Sequence, residues 1–226
     1  MKILAIECTH QLTCVAVKNG SIVVERNNEE WQKTAEAIVP LVIQAMSDAG
    51  VTPVELDGIA VSSGPGSFTA LRIGMSAAKG IAFGAGRPLV PVPTMQAMAD
   101  SACSHTASKY LVTVIPSRPG EYFYSVFSRD GGNGMPKELE SSRCLAIELS
   151  GRLDGIAGEF VLTGRAIEEL AGYSAALAPY GVEASFFNAA SLLPYAEKAL
   201  ADGVDGILAE AVPDYRQQFV PGQQKQ

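Results

Sequence analysis

Short apolar runs open the chain. Ile3 to Ile6, Thr13 to Val17 and Ser21 to Glu25 each have the length and the β-branched content of a strand, and Asn19-Gly20 between the last two is a two-residue hairpin signal. The pattern predicts an antiparallel meander. From Thr34 to Ala49 the period changes to that of a helix: Ala35, Ile38, Val39, Val42 and Met46 mark one face, and Ala37, Leu41 and Ala45 mark a second. A helix apolar on two faces has to be covered from two directions, so its own sheet cannot account for all of it. Pro40 removes one backbone donor and is expected to kink the rod. A strand from Gly58 to Ser62, a helix from Thr69 to Gly84, a strand from Leu89 to Val92 and a Thr94-capped helix to about Cys103 complete the first half.

The second half begins the same order again. Tyr110 to Ile115 and Tyr122 to Phe127 flank the turn Arg118-Pro119-Gly120 as another hairpin, Phe160 to Leu162 reads as a buried strand, and Arg165 to Ala171 as a short helix. Asn188 can cap a helix carrying Ala189, Leu192, Leu193, Ala196 and Leu200 at helical spacing. A repeated β-β-β-α-β-α unit is the plan of the actin/hexokinase/Hsp70-like (ribonuclease H-like) fold. The fold class expected is therefore two-lobed α/β, with mixed sheets flanked by helices and a second lobe reduced relative to the first. The boundary falls at Ser104 to Ser108, giving an N-terminal lobe over 1–104 and a C-terminal lobe over 105–226; the polar tail from Val220 to Gln226 is expected to fray.

Composition changes the picture in two ways. With 226 residues, 47% of them hydrophobic, the chain can bury substantial cores, and a formal charge of −7 argues against a surface built to neutralise phosphates, so direct nucleic-acid binding by this chain alone is not expected. Cys8, Cys14, Cys103 and Cys144 are scattered without a Cys-x-x-Cys pair and are read as structural thiols. Met1-Lys2 leads straight into a four-residue apolar run, too short for a signal-peptide core, and no stretch has the length of a membrane span. A cytoplasmic setting is the expectation.

The most informative stretch is Ser62-Ser63-Gly64-Pro65-Gly66-Ser67-Phe68-Thr69-Ala70-Leu71-Arg72-Ile73-Gly74. Its glycines and proline enforce a tight turn, Ser67 or Thr69 can cap the helix that follows, and Ala70, Gly74, Ala78 and Ala82 recur every fourth residue as a ridge of minimal side chains. The segment resembles the GPGSFTGLRIG-type signature of the bacterial TsaB (YeaZ) family of tRNA threonylcarbamoyladenosine biosynthesis proteins. Ile3-Leu4-Ala5-Ile6-Glu7-Cys8-Thr9 is similar to that family's ILAIDTS opening, and Ala209-Glu210-Ala211-Val212-Pro213-Asp214-Tyr215 with Arg216 to its Pro-x-Tyr-x-Arg ending. Glu7 stands where the family usually has Asp, and Ala70 where it usually has Gly.

Candidate chemistry is sparse. The turn Gly64, Pro65, Gly66, Ser67 could cradle an anion at a helix start, but it lacks the lysine and hydroxyl of a P-loop and the spacing of a dinucleotide site, and is read as structural. His10 and His105 lie far apart without a His-Glu-x-x-His pattern, so no metal site is expected. Gln32-Lys33-Thr34-Ala35-Glu36-Ala37 lacks the His-x-x-x-His pair that the resemblance implies for the related catalytic subunit, TsaD. No Gly-x-Ser-x-Gly elbow marks a nucleophile. Glu7 and Thr9, at the first strand's end, are the candidates for touching a phosphate or its metal; with no second acid to share an ion, they are read as satisfying the first turn's backbone. Tyr122-Phe123-Tyr124 with Phe127 could stack bases, yet alternation within a strand fits a core better.

The resemblance implies a non-catalytic subunit that dimerises with and activates TsaD, with the ATPase TsaE joining, for threonylcarbamoylation of adenosine 37 in tRNAs reading codons that begin with A. No cofactor is expected on this chain; the complex uses ATP. The interface is expected on Ala37, Leu41, Ala45, Ala70, Gly74, Ala78 and Ala82, facing TsaD or a second copy of the chain. The rival readings are a small-molecule or acyl kinase of the same fold, with Glu7, Thr9 and the Gly64 to Ser67 loop around ATP, and a homodimeric module with no role in tRNA modification.

Overall fold

A computed structural model of the chain describes residues 1–9, 12–129, 135–156, 158–203, 208 and 210–216. His10 and the tail from Val220 to Gln226 lie outside the described residues. The first sheet joins β1 (Lys2–Glu7), β2 (Thr13–Asn19), β3 (Ile22–Asn28), β4 (Gly58–Gly64) and β5 (Leu89–Pro93) in the order β3-β2-β1-β4-β5. β1 to β3 are antiparallel, with Leu4 opposite Val17, whereas β4 and β5 run parallel to β1, with Leu4 beside Ile59. Parallel neighbours need crossovers, and the two long helices supply them. They are α1 (Thr34–Ala49) before β4 and α2 (Phe68–Ala85) before β5.

The second sheet, β6 (Tyr110–Arg118), β7 (Glu121–Ser128), β8 (Lys137–Leu145), β9 (Phe160–Gly164) and β10 (Gly181–Glu183), has the order β8-β7-β6-β9-β10 and the same mixture of directions. The copy is thus complete in its strands. It is reduced in its helices: α4 (Ala146–Arg152) and α5 (Ile167–Tyr173) have 7 residues each, where α1 and α2 have 16 and 18. This is the two-lobed actin/hexokinase-like plan.

Three core clusters define the layers. The outer face of the first sheet, with Leu4, Ile6, Val15, Val17, Ile59 and Val61, is covered by α1 and α2. The outer face of the second sheet packs Tyr122, Tyr124 and Leu162 against α4 and α5. Between the sheets lie α3 (Thr94–Ala102) and α6 (Leu193–Ala201), embedded in one continuous cluster that joins Ile3, Ala5 and Val92 of the first sheet to Leu111, Phe123 and Phe127 of the second. α3, from the first half of the chain, packs on β6 and β9, while α6, from the second half, packs on β1, β4 and β5. The lobes are welded rather than hinged.

Several local expectations change. Thr94 does not cap its own helix, whose N-cap is Pro93; its hydroxyl instead accepts the backbone N–H of Gly64 at 3.0 Å. Asn188 caps as expected, accepting from Ser191 N at 3.3 Å, but the turn it starts, Ala189–Leu192, is a 3₁₀ helix ahead of α6. α1 runs unbroken through Pro40, which is exposed. The aromatic run Tyr122, Phe123, Tyr124 and Phe127 is wholly buried.

Candidate functional site: the Gly64 loop and the outer face of α1 and α2

The chain's three distinctive segments meet at one end of the first sheet. Glu7 closes β1 with 1% of its surface exposed, and its Oε1 accepts both the backbone N–H of Thr9, at 2.8 Å, and the Thr9 hydroxyl. Its other oxygen, Oε2, is buried without a hydrogen-bond partner among the described residues. Thr9 O in turn accepts the N–H of Ser67 at 2.8 Å, and the loop sits so tightly on Thr9 that a Cβ on Gly66 would lie 2.6 Å from that carbonyl. Gly64 has φ +113°, open only to glycine, and a side chain there would meet Asp214 O at 2.4 Å. Ser67 caps α2 as the sequence suggested.

The C-terminal segment completes the knot. Asp214 N donates to Ser63 O at 2.7 Å, fastening the segment to β4. Tyr215 packs on Phe68, with ring centroids 4.9 Å apart, and its hydroxyl accepts from Arg72 Nε at 2.9 Å. Arg216 bonds Asp214 through Nε at 3.2 Å, donates from Nη1 to Ser125 Oγ at 3.2 Å, and lies 3.7 Å from Glu138. One short segment therefore touches β4, α2 and the second sheet. Sequence reasoning placed Pro213 to Arg216 in a family motif without a structural role; a lone tyrosine and arginine at a chain end carry no periodicity that could have revealed their partners.

The packing leaves little for chemistry at Glu7 and Thr9, which are 1% and 2% exposed. Burial, reinforced by the Glu7 charge, pushes the Cys8 thiol far above its ordinary range, and burial pushes Cys14 up to about 12. Both are protonated at neutral pH and are poor nucleophiles. Among the described residues no group of three or more His, Cys, Asp or Glu side chains could hold a metal ion.

The small-residue ridge does not face outward. Ala70, Gly74, Ala78 and Ala82 are all buried against the first sheet, with Ala78 and Ala82 at 0% exposure, and a Cβ on Gly74 would lie 2.3 Å from Cys8 Sγ. Minimal side chains are required there because α2 rides directly on the strand ends. On α1 the expected faces are likewise displaced: Ala45 is fully buried and Leu41 is half-buried against the core, whereas Val39 and Ile43 are 50% and 64% exposed. Ala37 is half-buried. The face left open is built from other residues. Ala35, Ile38 and Val39 of α1 and Arg72, Ile73, Ser76 and Ala77 of α2 line a groove of about 380 Å³, with Ile43, Phe68 and Phe83 exposed on the same two helices.

The model of the family described as "TsaD: tRNA N6-adenosine threonylcarbamoyltransferase" matches residues 28–127. The tRNA threonylcarbamoyladenosine biosynthesis protein TsaB of Escherichia coli K12 is 29% identical over 219 residues, which cover 95% of this chain and 94% of that protein. The likeness to TsaB thus runs along nearly the whole chain. Two solved structures from Pseudomonas aeruginosa share the fold along the TsaB length. YeaZ itself has a TM-score of 0.77 at 23% identity, covering 95% of this chain and 99% of its own. A protein described as similar to the peptidase YEAZ has 0.81 at 22%, covering 96% and 99%.

Proposed function

We propose that this chain is a TsaB-like, non-catalytic subunit in the biosynthesis of tRNA threonylcarbamoyladenosine, one that docks on a TsaD-like catalytic subunit through the outer face of α1 and α2 and activates it. The modified position is adenosine 37 of tRNAs reading codons that begin with A, and a TsaE-like ATPase joins the assembly. The observation that carries the reading is the division of surfaces: the two sheets share one continuous apolar core, while the groove lined by Val39, Ile73 and Ala77 is open and Ile43 and Phe83 are exposed on the same two helices. An open groove with exposed apolar side chains on the same helices is the kind of surface that docks a partner.

A kinase of this fold needs room for a nucleotide beside Glu7 and Thr9, and both side chains are sealed under the Gly64 loop. The net charge of −7 supports indirect contact with tRNA through the catalytic subunit. The test is reconstitution: the TsaD-like subunit and TsaE-like ATPase of the same genome are supplied with tRNA, threonine-derived donor and ATP, with and without this chain. Modified adenosine is expected only with it. Equal modification without the chain, or ATP turnover by the chain alone, would overturn the proposal.

A further inference from the structure

We propose that Arg72 is the polar anchor of this docking face and receives a carboxylate from the docked subunit, with Tyr215 as its positioning residue. The inference rests on the docking reading above and adds the partner's chemistry to it. Arg72 is the one charged residue lining an otherwise apolar and small-residue groove. Its guanidinium lies 4.0 Å from the centroid of the Phe68 ring and 5.7 Å from that of Tyr215, and Nε donates to the Tyr215 hydroxyl at 2.9 Å. Among the described residues Nε makes the guanidinium's one hydrogen bond, and no carboxylate lies within 4.0 Å of it.

The physical consequence follows from what an arginine costs to cover. A guanidinium carries five N–H donors, and covering it with apolar surface would strip those donors of water without replacement. An occupant of this groove must therefore bring an acceptor to Arg72. A carboxylate fits the planar fork with two parallel hydrogen bonds, better than a single carbonyl does. Stacking on Phe68 and the bond to Tyr215 hold the side chain in advance, which lowers the entropy lost on binding. Tyr215 is itself fixed from both sides, by Asp214 on Ser63 and by Arg216 on Ser125. The occupant is thus a largely apolar surface of the TsaD-like subunit bearing one Asp or Glu opposite Arg72.

The experiment is calorimetric titration of the full chain with the TsaD-like subunit of the same genome at several salt concentrations. Arg72→Met keeps the apolar stem and removes the charge; it is expected to bind about 10- to 100-fold more weakly, with a shallower dependence on salt and an unchanged melting temperature. Arg72→Lys recovers part of the loss, and Tyr215→Phe weakens binding several-fold, about the effect of losing one hydrogen bond. Binding of Arg72→Met within about twofold of wild type would overturn the anchor while leaving the docking reading intact. A weakened Arg72→Met with an unaltered salt slope would overturn the carboxylate. Absence of binding by the wild-type chain would overturn the docking reading and the anchor with it.

Discussion

Gly74 shows how much one hydrogen atom in place of a methyl group can decide. A Cβ at this position would lie 2.3 Å from Cys8 Sγ, closer than real side chains approach, and the sulfur is itself held by a hydrogen bond to Ala70 O at 3.2 Å. Gly74→Ala gains helix propensity of about 1 kcal/mol, but the overpacking forces α2 off the sheet and costs about 1–3 kcal/mol, so net destabilisation is expected in urea unfolding. Cys8→Ala removes the obstructing atom. The double variant Cys8→Ala/Gly74→Ala is therefore expected to be more stable than the sum of the two single losses, with a coupling of about 0.5–3 kcal/mol read from the double-mutant cycle. Strict additivity would show that the contact is not what excludes the side chain.

At the scale of elements, the two faces of α2 and its neighbour α1 separate stability from association. Ala78 is 0% exposed on the inward face, so Ala78→Arg places a long unpaired charge against the first sheet and is expected to cost more than about 4 kcal/mol, visible as loss of the cooperative melt. Ile43 is 64% exposed on the outward face, and Ile43→Arg is expected to leave the unfolding free energy within about 0.5 kcal/mol while abolishing co-elution with the TsaD-like subunit. The contrast also marks how far the sequence could be read. Spacing of four along Ala70, Gly74, Ala78 and Ala82 tells that these residues share a face; it does not tell which way the face turns, and small side chains suit a close approach to a sheet as well as to a second helix. β1 to β7 were legible from apolar runs and the turns between them. β8 was not, because Lys137 to Arg143 is an exposed edge whose Glu, Ser and Arg residues carry no apolar alternation, and β10 spans only Gly181–Glu183. The site suffered the same limit: Gly64 to Ser67 was visible as a turn, whereas its contacts with Thr9 and Asp214 join segments far apart in the chain.

Over the whole molecule, pH and cooperativity report on how the layers are fused. Cys14, 2% exposed, has its ionisation moved by burial from 9.0 to about 12, and Cys8 is moved in the same direction. Below pH 9 these thiols are protonated whether the chain is folded or not, and they contribute no pH dependence. Above it the unfolded chain releases their protons while the folded chain retains them, so stability falls as pH rises from about 9 towards 12. The melting temperature is expected to decline over that range, and Cys14→Ala to make the decline shallower; an identical slope would exclude the thiol as a contributor. The fused core makes the stronger demand. Because α6 comes from the second half of the chain and covers β1, β4 and β5, while α3 from the first half covers β6 and β9, neither half can bury its inner sheet face by itself. The asp-to-arginine clasp at the C-terminus adds to this by tying Asp214 to β4 and Arg216 to Ser125 of β7. A chain of two independent lobes would melt in two steps, and residues 1–104 would fold when expressed alone. The shared cluster from Ile3 to Phe127 predicts instead one calorimetric transition whose van't Hoff and calorimetric enthalpies agree, and a 1–104 fragment that aggregates or stays unfolded because the apolar face of Ile3, Ala5, Ala60 and Val92 loses α6 and the second sheet and keeps only α3 as cover. A folded, monomeric fragment would mean that α6 and the second sheet lie on the first lobe as an accessory rather than as part of its core.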